Sequence, residues 1–175
     1  MKIELKKIKI NLTFSEETTM FMAELAVNGI VIGNAQNDGR GGATYYGAYS
    51  YGLSEDKIAR NKKLLAEAEA FCKALPKVRV EEYNFEYDMN LEHFIDDLVT
   101  AELQKKEQKK LEKKMLDTLM WGKPNGYSYT QVKFKVPLAK VPTTRLQEIV
   151  DKFKKEFKEG DVFLNTNLET LGIKL

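Results

Sequence analysis

The sequence predicts an α+β protein, with an N-terminal antiparallel hairpin sheet, packed helices and a C-terminal strand–helix–strand unit. Three observations carry this prediction. Apolar and polar residues alternate along the first 36 residues, apolar residues then recur at helical spacing, and a strand pattern, an amphipathic helix and a short apolar run follow. A length of 175 residues suffices for one core and is short for two, so we expect one domain over 1-175.

The first strands are predicted by period-two alternation. Residues 2–10 form the first strand, and a change of phase near Lys6-Lys7 predicts a bulge. The second strand covers 20–27 and the third covers 30–36. Asn28-Gly29 joins them, and it predicts a two-residue turn because both residues adopt positive φ readily. This hairpin leads directly into a glycine loop, and 44–51 is predicted as a further strand.

Two helices follow, separated by an extended segment over 78–87. The first begins after a capping Ser54 and ends at Pro76, and Cys72 lies on its apolar stripe, which predicts a core position. The second begins after a capping Asn90 and is predicted to cover about 91-121, ending before Gly122. At helical spacing, its lysines at 105–114 lie on the same side of the helix as its first apolar residues. The helix is therefore expected either to project past the body or to bend.

The C-terminal unit begins with a strand predicted from Tyr127 to Val136. Thr144 with Gln147 then predicts a capping box at the start of an amphipathic helix. Gly160 ends that helix, and 162–164 is a short apolar strand.

The most unusual stretch is the glycine loop Asn37-Asp38-Gly39-Arg40-Gly41-Gly42. Glycines permit positive φ and let a ligand approach the backbone, and successive amides turned inward form a nest that attracts anions. Arg40 adds a planar positive fork, and Tyr45 and Tyr46 follow as rings suited to base stacking. We therefore predict a ligand site at these eight residues, for a nucleotide or another phosphate-bearing molecule. The alternative is a wide loop that only closes a sheet edge.

Composition narrows the function classes. The net charge of +2 gives no global reason to expect nucleic acid or a membrane, and no apolar run approaches the roughly 20 residues of a membrane span. One cysteine and an N-terminus without a signal-peptide pattern predict a cytoplasmic protein. One histidine excludes multi-histidine metal sites. We assign no catalytic residue, no metal and no cofactor.

Enzyme and interaction hypotheses stay open beside the binding hypothesis. A metal-dependent phosphoryl-transfer enzyme would use Glu16, Glu17 and Asp38 to hold Mg²⁺, and His93 with Asp97 forms a weak ligand pair at i, i+4. In a homo-oligomer, the acidic residues of 81–97 would meet the lysines of 105–114 of another copy. Alternatively, these charged segments would dock on a host protein. Nucleic acid would use those lysines as a backbone track: Lys106, Lys109 and Lys113. The residues favour a small nucleotide over nucleic acid.

Ser15-Glu16-Glu17-Thr18, the Asn28-Gly29 hairpin and the glycine loop together resemble the N-terminal signature of a group of small uncharacterised proteins of phages, prophages and other mobile elements. That group often has a histidine where this chain has Arg40, which argues against imidazole chemistry here. The resemblance covers roughly residues 1–45 and carries no established activity. It implies an accessory protein of a phage or mobile element. This context suggests a role against host defence.

Overall fold

The computed structural model describes residues 1–81, 84–124, 126 and 128–175. Within these residues the chain forms three α-helices and three antiparallel sheets, which confirms the α+β class. Contacts group the chain into two compact units, Met1–Gln104 and Lys105–Leu175. The prediction of one domain over 1-175 concerns independent folding, which contacts alone do not decide, so it stays a prediction.

The first unit is built on a four-stranded antiparallel sheet in the order β1-β2-β3-β4. Asn28 and Gly29 have φ of 51° and 83°, which confirms the predicted two-residue turn between β2 and β3. The register of β1 against β2 shifts between Lys6 and Lys9, so the bulge is also confirmed. The strands are β1 (Ile3–Ile10), β2 (Phe21–Val27), β3 (Ile30–Asn37) and β4 (Tyr45–Ala48).

Two helices and a small hairpin complete the first unit. Helix α1 covers Glu55–Lys73, helix α2 begins at Leu91, and β5 (Val78–Val80) pairs with β6 (Phe85–Tyr87). One core joins the sheet to the helices, and the opposite face of the sheet carries exposed side chains. Cys72 is fully buried in this core, as predicted. The largest buried members are Phe21, Leu25, Ile32, Leu91 and Ile95.

The two predicted helix caps have different outcomes. Asn90 caps α2, because its Oδ1 accepts a hydrogen bond of 2.8 Å from the amide of His93. Ser54 does occupy the N-cap position of α1, but its side chain makes no capping hydrogen bond, so that prediction is wrong in its chemistry. The acids Glu55 and Asp56 still face the positive end of the α1 dipole.

Helix α2 covers Leu91–Met115, so the predicted helix over 91-121 is wrong in its last part. Residues Thr118–Gly122 form strand β7 instead, and all five are buried. A short, mainly apolar run that is buried throughout has no periodicity that separates a strand from a helix. This explains why the apolar residues after Leu111 lie out of phase with the start of the helix.

The second unit surrounds β7, which lies between β8 (Thr130–Lys133) and β9 (Val162–Phe163). Helix α3 covers Thr143–Lys154 and ends before the predicted stop at Gly160. The predicted capping box is wrong, because α3 begins at Thr143 and the side chain of Gln147 instead donates to Asp151. Tyr127, and Tyr83 within the segment 78–87, lie outside the described residues.

A second core holds this unit together. Trp121 of β7 stacks on Phe153 of α3 with ring centroids 4.8 Å apart, in a group of four neighbouring aromatic rings. The fully buried aliphatic members are Leu119, Leu138, Leu146, Val150 and Leu168. In the described parts of the chain, no helix is both long enough and apolar enough to cross a membrane.

Candidate ligand-binding site

The glycine loop leaves the end of β3, and the side chain of Asn37 holds it in shape. Asn37 is 8% exposed. Its Oδ1 accepts from the hydroxyl of Thr18 and from the amide of Gly39, each at 2.8 Å. Its Nδ2 donates to the carbonyl of Gly42 at 3.0 Å and to the hydroxyl of Thr44 at 3.1 Å. One side chain therefore fixes the loop at both ends.

The amides that would form an anion nest already have acceptors within the chain. The amide of Gly39 donates to Asn37, that of Arg40 donates to Asp38 Oδ1 at 3.2 Å, and that of Gly41 donates to the hydroxyl of Thr18 at 3.2 Å. An anion at this loop would have to replace these bonds. The contacts therefore count against recognition of phosphate by the loop backbone, although an anionic ligand stays a prediction.

Two of the three loop glycines have a structural reason to be glycine. Gly39 and Gly41 have φ of 84° and 86°, a region that side chains disfavour. A Cβ on Gly39 would lie 2.6 Å from the carbonyl oxygen of Phe14, and one on Gly41 would meet the carboxylate of Glu17. Gly42 differs, because its φ is not positive and a Cβ there would meet no atom within 4 Å. The local backbone gives no reason for a glycine at that position.

A cavity of about 420 Å³ lies beside the loop. Gly41, Gly42 and Thr44 line it together with Glu92 and Asp96 of α2. Phe21 and Val99 contribute apolar surface. This volume falls within the usual range for small-molecule sites.

Thr44 links the loop to the two carboxylates. Its amide donates to Glu92 Oε1 at 3.0 Å, and its hydroxyl donates to Asp96 Oδ1 at 2.6 Å. Glu92 and Asp96 share a helical face because they are four residues apart. Each carboxylate uses one oxygen in these bonds, and the described lining contains no lysine or arginine. The cavity is therefore an acceptor-rich, negatively charged site.

Burial raises the pKa of the Asp96 carboxyl above its usual value. The hydrogen bond from Thr44 opposes this rise, and the neighbouring carboxylate of Glu92 adds to it. A group with such a perturbed pKa in a cavity is a candidate for a functional role.

His93 also lines this cavity. Its Nδ1 is buried and has no hydrogen-bond partner among the described residues, and its ring lies edge-on to Tyr87 at 4.9 Å. A buried nitrogen without a partner is uncommon in a folded protein, and a ligand group is one way to satisfy it.

The structure separates several of the residues that the sequence predicted to act together. Asp38 and Arg40 are exposed and do not line the cavity. Tyr45 and Tyr46 are neighbours on β4 and face opposite sides of the sheet. Tyr45 is 62% exposed. Tyr46 packs against the core, with its hydroxyl donating to Glu69 at 3.3 Å. The two rings therefore do not form one stacking site.

The residues considered for metal and nucleic acid are also placed apart. Among the described residues, no group of three histidine, cysteine or acidic side chains is arranged to hold a metal ion, so Glu16, Glu17 and Asp38 do not form a ligand set. Lys109 and Lys113 are exposed on α2 and Lys106 is half-buried there. A nucleic-acid role for these three lysines stays a prediction.

Glu92 and Asp96 line the cavity although they were not among the predicted site residues. A usable signal was present, since two carboxylates four residues apart follow directly after the Asn90 cap. His93 was paired with Asp97, whereas Asp96 shares the cavity lining with it.

Comparison with known proteins adds no assignment, since no family model, curated protein or solved structure matches this chain. The resemblance to proteins of phages and mobile elements therefore stays a prediction.

Proposed function

We propose that this chain is a binding protein for a small ligand with a nucleobase, and that the base occupies the cavity beside the glycine loop. The observation that carries the proposal is the cavity lining, which combines two carboxylates with apolar side chains and contains no described lysine or arginine. Such a lining selects a ligand that donates hydrogen bonds and has an apolar body.

A nucleobase meets both conditions. Its ring faces are apolar and suit the surface given by Phe21 and Val99. Its amino and ring N–H groups can donate to carboxylates, as cytosine N4 does to Glu and Asp side chains. Hydrogen bonds to a charged acceptor typically contribute about 1.5–3 kcal/mol each. Glu92 and Asp96 each have a second oxygen outside their bonds to Thr44.

A nucleotide would bind in the orientation opposite to that predicted from the sequence. Its phosphate would be repelled by the two carboxylates and would remain outside the cavity. Arg40 is exposed and directly precedes Gly41, a loop residue that lines the cavity. We propose that this guanidinium contacts the phosphate as a secondary interaction, while the base provides the specificity.

An accessory role in a phage or mobile element rests on the sequence resemblance alone, and we propose it only as the biological setting. Within that setting, binding of a nucleotide would suit a protein that removes a signalling nucleotide of host defence.

A thermal-shift panel tests the proposal. It pairs each nucleoside with its 5′-monophosphate, includes inorganic phosphate, and compares the wild-type protein with Gly42→Ala and Arg40→Ala. We expect one base to raise the melting temperature as nucleoside and as monophosphate, because a bound ligand stabilises the folded state by mass action. Gly42→Ala should reduce both shifts, because its methyl group takes open space at the cavity. Arg40→Ala should reduce only the shift with the monophosphate.

Two outcomes would contradict the proposal. The first outcome is that inorganic phosphate raises the melting temperature and Arg40→Ala removes this rise. That result would support the anion site predicted from the sequence. The second outcome is that no member of the panel shifts the melting temperature of protein verified as ligand-free by native mass spectrometry. That result would favour a protein–protein interaction role.

A further inference from the structure

We propose that the outer face of the four-stranded sheet binds single-stranded nucleic acid. The face carries a row of four exposed side chains that lie directly opposite one another across the strands: Lys9 of β1, Met22 of β2, Gln36 of β3 and Tyr45 of β4. Residues opposite each other in antiparallel strands point to the same face, so the row crosses the whole sheet over about 14 Å.

Tyr45 presents an open aromatic surface on this face. The next residue on the same side of β4 is Gly47, and a Cβ there would lie 3.4 Å from the hydroxyl of Tyr45. The ring therefore extends along the strand over a residue without a side chain, and 62% of Tyr45 remains exposed. Met22 is 57% exposed in the same row. Such a flat, exposed ring is the kind of surface on which an unpaired base stacks.

A hollow of about 400 Å³ lies next to this row. Its lining combines a second ring, two amides and two cations: Tyr49, Asn34, Gln36, Lys7 and Lys9. Amide side chains can read base edges, and lysines can contact phosphates. Among the described residues that line the hollow, Glu24 is the single acid, and Lys7 pairs with it at 2.7 Å. Lys9 is exposed, with no such pair among the described residues, and leaves the hollow with a positive excess.

The chemistry of this face favours single-stranded nucleic acid over other occupants. A second sheet would need a continuous apolar face, whereas this face carries lysine, glutamate and amide side chains. A duplex keeps its bases stacked inside, so an exposed tyrosine gains nothing from it. The anionic backbone and exposed bases of a single strand match the lysines and the rings together.

Fluorescence anisotropy with a labelled oligothymidylate of about 12 nucleotides, at about 50 mM salt, tests the proposal. We expect Tyr45→Ala to weaken binding about fivefold or more, because one stacked base is lost. Tyr45→Phe should retain binding, since the ring remains. Lys9→Ala should reduce the salt dependence by about one counterion. Tyr51→Ala is the matched control, because Tyr51 is fully exposed and does not line the hollow.

Three outcomes would overturn the proposal. The first is that neither the oligothymidylate nor an oligouridylate of the same length binds at low salt. The second is equal binding of a duplex of that length. The third is loss of binding in Lys109→Glu with Lys113→Glu while Tyr45→Ala binds normally, which would assign nucleic acid to α2. Both lysines and Tyr45 are exposed, so circular dichroism should show these variants folded.

Discussion

The loop glycines allow an ordered stability series, because the structure gives each a different local requirement. The perturbation is one methyl group at a time, in Gly39→Ala, Gly41→Ala and Gly42→Ala. We expect the loss of unfolding free energy to be largest at Gly39, smaller at Gly41 and absent at Gly42.

The magnitudes come from backbone strain and from contact. A side chain in the left-handed region costs about 1–2 kcal/mol, which applies to Gly39 and Gly41. At Gly39 the methyl group also lies 2.6 Å from the backbone oxygen of Phe14, and such overpacking adds about 1–3 kcal/mol. At Gly41 the colliding group is the exposed, flexible carboxylate of Glu17, which can move away. Gly42→Ala should instead stabilise by about 0.4–1 kcal/mol, because it restricts the unfolded chain.

Urea unfolding followed by far-UV circular dichroism is the assay. Fluorescence of the single tryptophan is a poor probe, since Trp121 lies in the second unit and the glycine loop lies in the first. In a chain of this length, a loss of 1 kcal/mol of unfolding free energy also lowers the melting temperature by about 2–4 °C. Gly39→Ala should therefore be separated clearly from Gly42→Ala.

Two outcomes would contradict the local requirements assigned to these glycines. A loss at Gly42 equal to the loss at Gly41 would mean that Gly42 has a structural role, and its link to the cavity would lose its support. Equal losses at Gly39 and Gly41 would mean that the contact with Phe14 does not govern the loop.

Three further predictions follow from the site and the core. Asn37→Ala should lower the unfolding free energy by about 3 kcal/mol, because it breaks four hydrogen bonds in a buried position. Asn37→Asp should keep the two accepted bonds, lose the two donated bonds and place a carboxylate oxygen against the Gly42 carbonyl. Asp96 has a raised pKa in the folded state, so the unfolded state releases this proton first and stability falls as the pH rises from about 4 through the raised value. Asp96→Asn should remove that fall in urea titrations, and an unchanged pH profile would contradict the assignment. Cys72 is fully buried and burial raises the pKa of its thiol, so a disulfide reagent should modify it quickly only in denaturant, and rapid native labelling would place it elsewhere.

Local signals predicted the first half of the fold well. The turn at Asn28 and Gly29 needs positive φ at both positions, and few other sequences supply it, so the hairpin could be identified without tertiary contacts. The bulge near Lys7 followed from a change of phase in the alternation. Asn90 was identified as a cap because its side chain and the next turn are close in sequence.

Features that depend on tertiary contacts were missed. Strand β7 is central in its sheet and buried at all five residues, so its apolar run had no periodicity to separate it from the end of α2. The cavity was missed for a related reason. Thr44 and Asp96 are 52 residues apart, and nothing local brings them together. The glycines were visible in the sequence, but the hydrogen bonds from the amides of Gly39 and Gly41 to Asn37 and Thr18 were not.

The two proposed surfaces of the first unit have opposite charge, and this gives a way to separate them. The cavity offers two carboxylates and no described lysine or arginine, whereas the outer face of the sheet offers Lys7 and Lys9 against one described acid. Contacts between exposed lysines and phosphates weaken as salt rises, because counterions compete for them. A base enclosed beside Glu92 and Asp96 is screened much less. Binding of a nucleoside should therefore survive an increase in salt that abolishes binding of the oligothymidylate, and parallel loss of both would mean that they share one exposed site.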